Sequence, residues 1–252
     1  MPTKMLFNLY SLLTKLTIFS MIFSRFKKKR NLKPEGGAAQ YEGKINIVDS
    51  PYFKHPDFYN MKSNDHLTIL PRFRTHQQHT EYTCGPTVAM MVVEHYLGRP
   101  LDGEMEISRI MRTSPEKGTK VQGMCHYFRK LGWEVESSVD NSDETPAEYE
   151  DFLKFVKEKL DANTPIMVET VDWAGHWRVI IGYDTMGTDF TGDDVLILAD
   201  PYDTGTHFQD GYTAVPAEKF FYMWFDAFYY SRKERIRPWL TAVPRSEAGA
   251  YI

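Results

Sequence analysis

The sequence predicts an α+β fold, because helical patterns dominate its first half and strand patterns its second. Apolar residues at three- and four-residue spacing predict helices near 86–97, 104–112, 121–131 and 146–161. Runs rich in β-branched and apolar residues predict strands near 133–138, 165–171, 177–183 and 194–199. This segregation is typical of α+β rather than alternating α/β folds. The chain has 252 residues, 42% of them apolar and 14% aromatic, which is ample for a core.

The first predicted helix directly follows Cys84. Pro86 suits a first turn, where no backbone N–H is needed, and Gly98 and Pro100 end the pattern. A helix that begins at the cysteine directs its unpaired N–H groups and its positive dipole end at the sulfur, which stabilises a thiolate. Cys84 is therefore the leading candidate for a thiol nucleophile.

A later predicted helix contains the other cysteine, Cys125. Val121, Met124, Cys125 and Phe128 share one face, so we expect this thiol to lie in the core. His126 points away, since neighbours in a helix do not face each other, and a Cys125–His126 pair is geometrically poor. Two cysteines in the whole chain are too few for a disulfide scaffold.

Two of the predicted strands carry the residues that a thiol nucleophile needs. His176 opens the strand near 177–183, and Asp200 ends the strand near 194–199. A catalytic thiol requires an imidazole that takes up and returns its proton, and a third group that orients this imidazole. Two adjacent strands would place the carboxylate of Asp200 against His176. We therefore expect Cys84, His176 and Asp200 to act together.

These motifs resemble those of papain-like cysteine peptidases. Their order is Gln-x-x-x-x-x-Cys-Gly-Pro from Gln78, Gly-His-Trp-x-Val-x-x-Gly-Tyr-Asp from Gly175, and then Asp-Pro from Asp200. The most similar branch processes the double-glycine leader peptides of bacteriocins, and the resemblance covers residues 66–243. It implies a papain-like α+β fold, with a helical half, an antiparallel β half and the active site in the cleft between them.

The resemblance also implies a role for each residue. Cys84 would be the nucleophile, His176 the general base and acid, and Asp200 the orienting residue. Gln78 would donate to the oxyanion together with the backbone N–H of Cys84. Gln77 is the neighbouring alternative, and the spacing of the family favours Gln78. We expect a stand-alone domain, whereas an ATP-transporter segment follows it in the leader-processing exporters.

We therefore predict a cysteine peptidase that cleaves a peptide or related amide bond through an acyl-enzyme on Cys84. Three alternatives use the same groups. An amine or thiol acceptor in place of water makes the protein an acyltransferase or transpeptidase. A domain that has kept only the cleft binds a peptide without catalysis. In the last alternative Cys84, His176 and Asp200 bind a metal.

The sequence predicts no cofactor and no metal. His66, His76 and His79 precede Cys84, but their spacing fits no standard zinc ligand set. The net charge of −4 gives no sign of the basic surface that binding to nucleic acid requires. The expected partner is therefore a peptide or amide substrate.

Two groups of aromatic residues have roles that the sequence leaves open. Trp173, Trp177 and Tyr202 flank His176 and Asp200, where they either wall the cleft or pack in the core. The segment Ala217 to Tyr230 is strongly apolar. It predicts a core helix that closes the domain, in preference to a substrate groove or membrane patch.

Residues 1–30 form a separate apolar and basic segment. Its apolar stretch is long enough to span a bilayer but contains Lys15 near its centre, and a basic cluster follows. The segment predicts a membrane anchor that either spans the bilayer or lies at its surface, unless translation starts at Met21 or later. The expected location is the cytoplasm, at the inner face of a membrane. We expect a linker over 31–65, the peptidase domain over 66–243 and a tail over 244–252.

Overall fold

The computed structural model describes residues 36–41, 46–232 and 234–245. The predicted anchor at 1–30, the first part of the predicted linker and most of the predicted tail lie outside the described residues. Among the residues that are described, no helix is long and apolar enough to cross a membrane.

The helices of the described residues agree closely with the sequence pattern in the first part of the domain. Their bounds are α1 Cys84–Leu97, α2 Glu104–Met111, α3 Val121–Lys130, α4 Tyr149–Asp161 and α5 Ala217–Met223. Gly98 ends α1 with a left-handed backbone, at a φ of 71°, and its N–H bonds the carbonyl of Glu94. Glycine adopts this conformation without steric cost, which explains why the helix stops there.

The strands of the described residues form one antiparallel sheet. Their bounds are β1 Leu67–Ile69, β2 Glu134–Ser137, β3 Ile166–Thr170, β4 His176–Asp184, β5 Val195–Ala199, β6 Tyr212–Pro216 and β7 Trp239–Val243. The spatial order is β2-β7-β3-β4-β5-β6, and β1 pairs with the far end of β4. The β3–β4 register sets Thr170 opposite His176 and Glu169 opposite Trp177.

The predicted α+β fold is confirmed. Helix α1 packs on the sheet through buried residues such as Val88, Met91 and Val92, which join a core that includes Val179 and Ile180 of β4. The four predicted strands are present, but β1, β6 and β7 were not predicted. These are strands of three to five residues, and long-range pairing with β2, β3, β4 and β5 determines their conformation.

The prediction of a single core helix over the segment from Ala217 to Tyr230 is wrong in its second half. Helix α5 ends at Met223. The Oδ1 atom of Asp226 accepts backbone N–H bonds from Phe228, Tyr229 and Tyr230, at 3.1, 2.7 and 2.8 Å. A carboxylate that takes several consecutive N–H groups competes with helix formation, so the chain turns here instead. This turn lies close to the site described next.

Candidate active site

Cys84 is the first residue of α1, as the sequence predicts, and its thiol lies against the start of β4. The sulfur accepts hydrogen bonds from the backbone N–H groups of Trp177 and Gly85. Since Trp177 directly follows His176, the sulfur lies within one residue of the predicted imidazole. A Cβ at Gly85 would come within 2.6 Å of Thr119, so glycine allows this close approach of the helix.

The loop before Cys84 is held from the start of α2. Glu104 accepts the backbone N–H of His79 at 3.0 Å, contacts the His79 imidazole at 2.7 Å and accepts the hydroxyl of Thr83. Because Glu104 is itself buried, these bonds form away from competing water. They fix the loop that delivers Cys84 to the sheet.

His176 and Asp200 form the expected pair at the ends of β4 and β5. The Nε2 atom of His176 lies 2.8 Å from Oδ1 of Asp200, and both side chains are buried. The backbone N–H of Tyr202 donates to the same oxygen at 2.8 Å. The other oxygen of Asp200 accepts from Nε of Arg178 at 2.6 Å. Every oxygen of this carboxylate therefore has a partner.

Arg178 is a residue of this site that the sequence analysis did not recognise. It lies two residues after His176 on the same face of β4. Its Nη1 atom donates to Asp172 at 2.6 Å and to Thr170 at 3.1 Å. A charged residue inside an otherwise apolar strand was the available signal. The guanidinium links the carboxylate of Asp200 to the loop before β4.

The pKa values of the pair follow from these contacts. Burial alone would raise the pKa of Asp200, but Arg178 and then His176 lower it well below its ordinary value. Burial lowers the pKa of His176 and outweighs the opposing effect of Asp200. The imidazole is therefore neutral at neutral pH, and the carboxylate is ionised.

The thiol is also neutral in this conformation. Burial raises the pKa of Cys84 to about 12, although the N–H groups of Trp177 and Gly85 oppose the shift. Burial therefore outweighs the helix N-terminus, which the sequence analysis expected to stabilise a thiolate. Cys84 and His176 are only 6% and 3% exposed, so the site is closed to solvent. In this conformation the thiol of Cys84 and the imidazole of His176 are therefore both neutral.

Gln78 lies in the loop that leads into α1 and is buried. Its side-chain amide donates to the carbonyl of Thr80 at 2.7 Å, and its Oε1 atom is buried without a partner. Its backbone N–H donates to Pro201, next to Asp200, at 2.9 Å. The side chain of Gln77 instead contacts Gln209. Of the two glutamines, Gln78 is the one with an uncommitted side-chain atom.

The aromatic residues beside the site divide between the two roles that the sequence left open. Trp173 and Tyr202 contact the imidazole of His176, with ring centroids 5.0 and 6.4 Å away. Trp177 is fully buried and donates to the carbonyl of Thr119 at 2.9 Å. Trp173 has a positive φ of 50°, a strained conformation for a bulky residue, three residues before His176. Trp173 and Tyr202 therefore wall the imidazole, whereas Trp177 packs.

The remaining candidates lie apart from this site. Cys125 is buried in the core, as predicted, and both cysteines are free. His66, His76 and His79 contact three different carboxylates, which belong to Asp184, Glu94 and Glu104. Within the described residues, no group of three or more His, Cys, Asp or Glu side chains is arranged to hold a metal ion.

Comparison with known proteins identifies the family. The Peptidase_C39 like family matches residues 71–230, a range that contains all four predicted site residues. The chain belongs to this family. Membership supports the predicted class of cysteine peptidases. The matched range also contains the loop of Gln78 and the turn at Asp226. Among curated proteins, none matches the chain significantly.

Solved structures that are similar to this member of the Peptidase_C39 like family are distant in sequence. One is the peptidase domain of Streptococcus ComA, which is described as a bi-functional ABC transporter involved in a quorum sensing pathway. It is 18% identical, with a TM-score of 0.47, and the match covers 69% of this chain and 99% of that one. The corresponding domain of Streptococcus mutans ComA is 17% identical, with a TM-score of 0.37, over 68% and 100%. The proform of the ragweed pollen allergen Amb a 11, a cysteine protease, is 10% identical, with a TM-score of 0.44, over 90% and 86%.

Proposed function

We propose that this protein is a thiol hydrolase that cleaves a peptide or related amide bond through an acyl-enzyme on Cys84. The observation that carries the proposal is the bond from the backbone N–H of Trp177 to the sulfur, together with the His176–Asp200 pair one residue away. The proposal is supported by the position of the thiol at the start of α1, next to the backbone of Trp177, and by the buried pair at the ends of β4 and β5. Such a constellation is defined by geometry and roles rather than by sequence position.

In the proposed reaction His176 takes the proton of the Cys84 thiol as the sulfur attacks the substrate carbonyl. The imidazolium that forms is stabilised by Asp200, which is ionised and held in place by Arg178. The same proton then passes to the leaving amine, and water releases the acyl group. Gln78 would stabilise the oxyanion once its side chain turns from Thr80 toward the substrate.

The closed state of the site adds a requirement to this proposal. Because Cys84 and His176 are nearly inaccessible, a peptide reaches the sulfur only after the covering residues move. Entry of a polar substrate also removes the burial that keeps thiol and imidazole neutral. Activation of the thiol is thus coupled to opening of the site.

The alternative in which an amine accepts the acyl group is favoured by the same closure. A site that excludes water protects an acyl-enzyme from hydrolysis and leaves it for another nucleophile. Products formed in H₂¹⁸O distinguish the two reactions. A hydrolase places ¹⁸O in the new carboxyl group, whereas a transferase gives an unlabelled amide product when an amine is present.

The experiment that tests the proposal compares the two cysteines of the chain. The wild type, Cys84→Ala and Cys125→Ala are treated with iodoacetamide and assayed by mass spectrometry against a peptide library. We expect Cys125→Ala to retain labelling at Cys84 and peptide cleavage, and Cys84→Ala to lose both. Replacement of the nucleophile costs about 10⁶-fold in kcat in a serine protease, so the loss should reach background. Cleavage that survives in Cys84→Ala would end the proposal.

A further inference from the structure

Two buried carboxyl groups lie beside Cys84, on residues that the catalytic scheme does not use. Glu169 is on β3 opposite Trp177, and Asp226 is in the turn after α5. Both converge on Gly175, the residue before His176. A Cβ at Gly175 would lie 2.6 Å from Oδ2 of Asp226 and 2.7 Å from Oε1 of Glu169. The position therefore requires glycine, and the two acids face one point next to the catalytic histidine.

One oxygen of each carboxyl group has no hydrogen-bond partner. Oε2 of Glu169 and Oδ2 of Asp226 are buried and unpartnered, and the residues are 3% and 0% exposed. Leaving a buried polar group without a partner destabilises the fold. In the described part of the chain, no lysine or arginine forms an ion pair with either group, and Arg235 only partly offsets the raised pKa of Asp226. The fold itself does not satisfy these oxygens.

The carboxyl group of Glu169 lies within electrostatic range of the sulfur. Burial is the main cause of the raised pKa of Cys84, and an ionised Glu169 would raise it further; the hydroxyl of Tyr230 interacts with both groups. That hydroxyl donates its single proton to the carbonyl of Thr119 at 2.6 Å. Burial, and then the neighbouring Asp226, raises the pKa of Glu169 well above its ordinary value, and the interaction with Tyr230 opposes this shift only in part.

We infer that Glu169 and Asp226 form a subsite beside Cys84 that binds the cationic side chain of a lysine or arginine of the substrate. The ammonium or guanidinium group would donate to Oδ2 of Asp226 and to the carboxyl group of Glu169, and charge-assisted bonds of this kind are about twice as strong as neutral ones. The protons held by the acids would pass to solvent. The inference rests on the proposed function, since the bound residue belongs to the peptide that Cys84 attacks.

Entry to this subsite requires the same opening as entry to the sulfur. Tyr230 is buried and interacts with Glu169, Asp226 and Cys84, and the turn at Asp226 is joined to the residues before His176 by the bond from Ala227 N–H to the Ala174 carbonyl at 3.0 Å. A substrate that displaces Tyr230 would therefore expose the sulfur and the two acids together. The cationic residue is expected next to the scissile bond.

A test that is independent of peptidase activity uses charged thiol reagents. In a Cys125→Ala background, Cys84 is treated with 2-aminoethyl methanethiosulfonate, which is cationic, and with methyl methanethiosulfonate, which is neutral. Each forms a mixed disulfide on the sulfur and releases methanesulfinate. The ratio of the two rates, divided by the same ratio for 2-mercaptoethanol, reports the preference of the site for a cation. We expect about a tenfold preference, which corresponds to about 1.4 kcal/mol.

The variants Glu169→Gln and Asp226→Asn are expected to bring this ratio close to one. Asparagine at 226 can keep the oxygen that accepts the three N–H groups, so the second variant covers the case in which the first does not fold. The matched control is Asp194→Asn, another buried acid, located at the opposite end of β4 and bonded to Tyr183. It should leave the ratio unchanged. A wild-type ratio near one, or an equal fall in the control, overturns the inference.

A second arm uses peptides. Amino-terminally acetylated peptides with lysine or norleucine at each position are compared by kcat/KM. We expect lysine to be preferred at one position next to the cleaved bond, and Glu169→Gln to bring the lysine-to-norleucine ratio of kcat/KM close to one. A preference that appears only with a free terminal ammonium group overturns the side-chain assignment. If no peptide is cleaved while the reagent preference holds, the proposed function fails and the acidic subsite stands.

Discussion

The two sides of the candidate active site differ in how far the fold satisfies their polar groups. On one side, Asp200 has a partner at each oxygen, and Arg178 bonds two further residues. On the other side, Gln78, Glu169 and Asp226 each retain a buried oxygen without a partner. We call these the partnered side and the unpartnered side. Groups whose bonds are all internal hold a geometry, whereas groups with unused bonds have capacity left for a substrate.

The two sides also differ in which of their groups carry a charge in this conformation. Burial raises the pKa of Cys84 and Glu169 and lowers that of His176, so all three favour their neutral forms. Only the partnered carboxylate of Asp200 stays ionised, because Arg178 compensates its burial. The ionised group among these four residues is therefore the one whose charge the guanidinium of Arg178 compensates.

The largest expected effect comes from breaking the partnered side with Asp200→Asn. The corresponding change in a serine protease lowers kcat about 10⁴-fold. Loss of the charge also leaves the buried guanidinium of Arg178 with less compensation, and breaking a buried pair costs about 3 to 5 kcal/mol. We expect both losses together, measured by peptide turnover and by urea denaturation.

The control for this prediction is Asp140→Asn. Asp140 pairs with Arg129 at the surface, where the side chains are 43% and 50% exposed. Such a pair is worth about 0 to 1 kcal/mol. Equal destabilisation by the two variants would contradict the claim that the partnered side holds the site together.

The next largest effect is expected on the unpartnered side, from Gln78→Ala. Loss of an oxyanion donor costs about 2.7 to 4 kcal/mol of transition-state stabilisation, or about 10² to 10³ in kcat. Gln78→Ala also removes the bond from Nε2 to the Thr80 carbonyl, which is worth about 1 kcal/mol, so the unfolding free energy should change less than in Asp200→Asn. Gln77→Ala is the matched control and should keep kcat. A drop in stability with unchanged kcat would assign Gln78 to the scaffold instead.

A smaller effect is expected from pH on the stability of Glu169→Gln. The folded protein keeps the proton of Glu169 at pH values where the unfolded chain, with an ordinary pKa of 4.5, has lost it. This residue therefore lowers stability as the pH rises above that value. We expect the unfolding free energy of Glu169→Gln to rise relative to that of the wild type by about 1 to 3 kcal/mol between pH 5 and 8, as measured by urea denaturation.

The sign is opposite for the partnered side. The pKa of Asp200 is lowered, so its contribution is present above the ordinary value of 3.8 and is lost as the pH falls below it. Glu116→Gln, an exposed acid in a loop, should follow the wild type throughout. A stability difference between Glu169→Gln and the wild type that does not change with pH would contradict the buried, protonated state of Glu169.

The smallest effect is expected from Asp172→Asn. Asp172 is 39% exposed and shares Arg178 with the fully buried Asp200. Solvent screens the outer pair, so its loss should cost about 1 kcal/mol or less and leave kcat within a few-fold. An effect as large as that of Asp200→Asn would mean that Asp172, in the loop before β4, fixes Arg178 in place, and that Asp200 does not.

The sequence by itself predicted the local features of this protein. The apolar periodicity after Cys84 defined α1, and the β-branched runs beginning near His176 and ending at Asp200 defined β4 and β5. These elements are readable because the spacing of apolar residues along one segment reflects which of its faces is buried. The motif order then led to the family that the match over residues 71–230 identifies.

Only the tertiary structure decided what surrounds those residues. Arg178, Glu169 and Asp226 meet the site through strand pairing and through a turn that replaces half of a predicted helix. The hydroxyl of Tyr230, which interacts with Glu169 and Cys84, comes from a residue 146 positions after Cys84 in the sequence. Burial and unused hydrogen bonds arise from contacts between distant segments, and periodicity within one segment carries no information about such contacts.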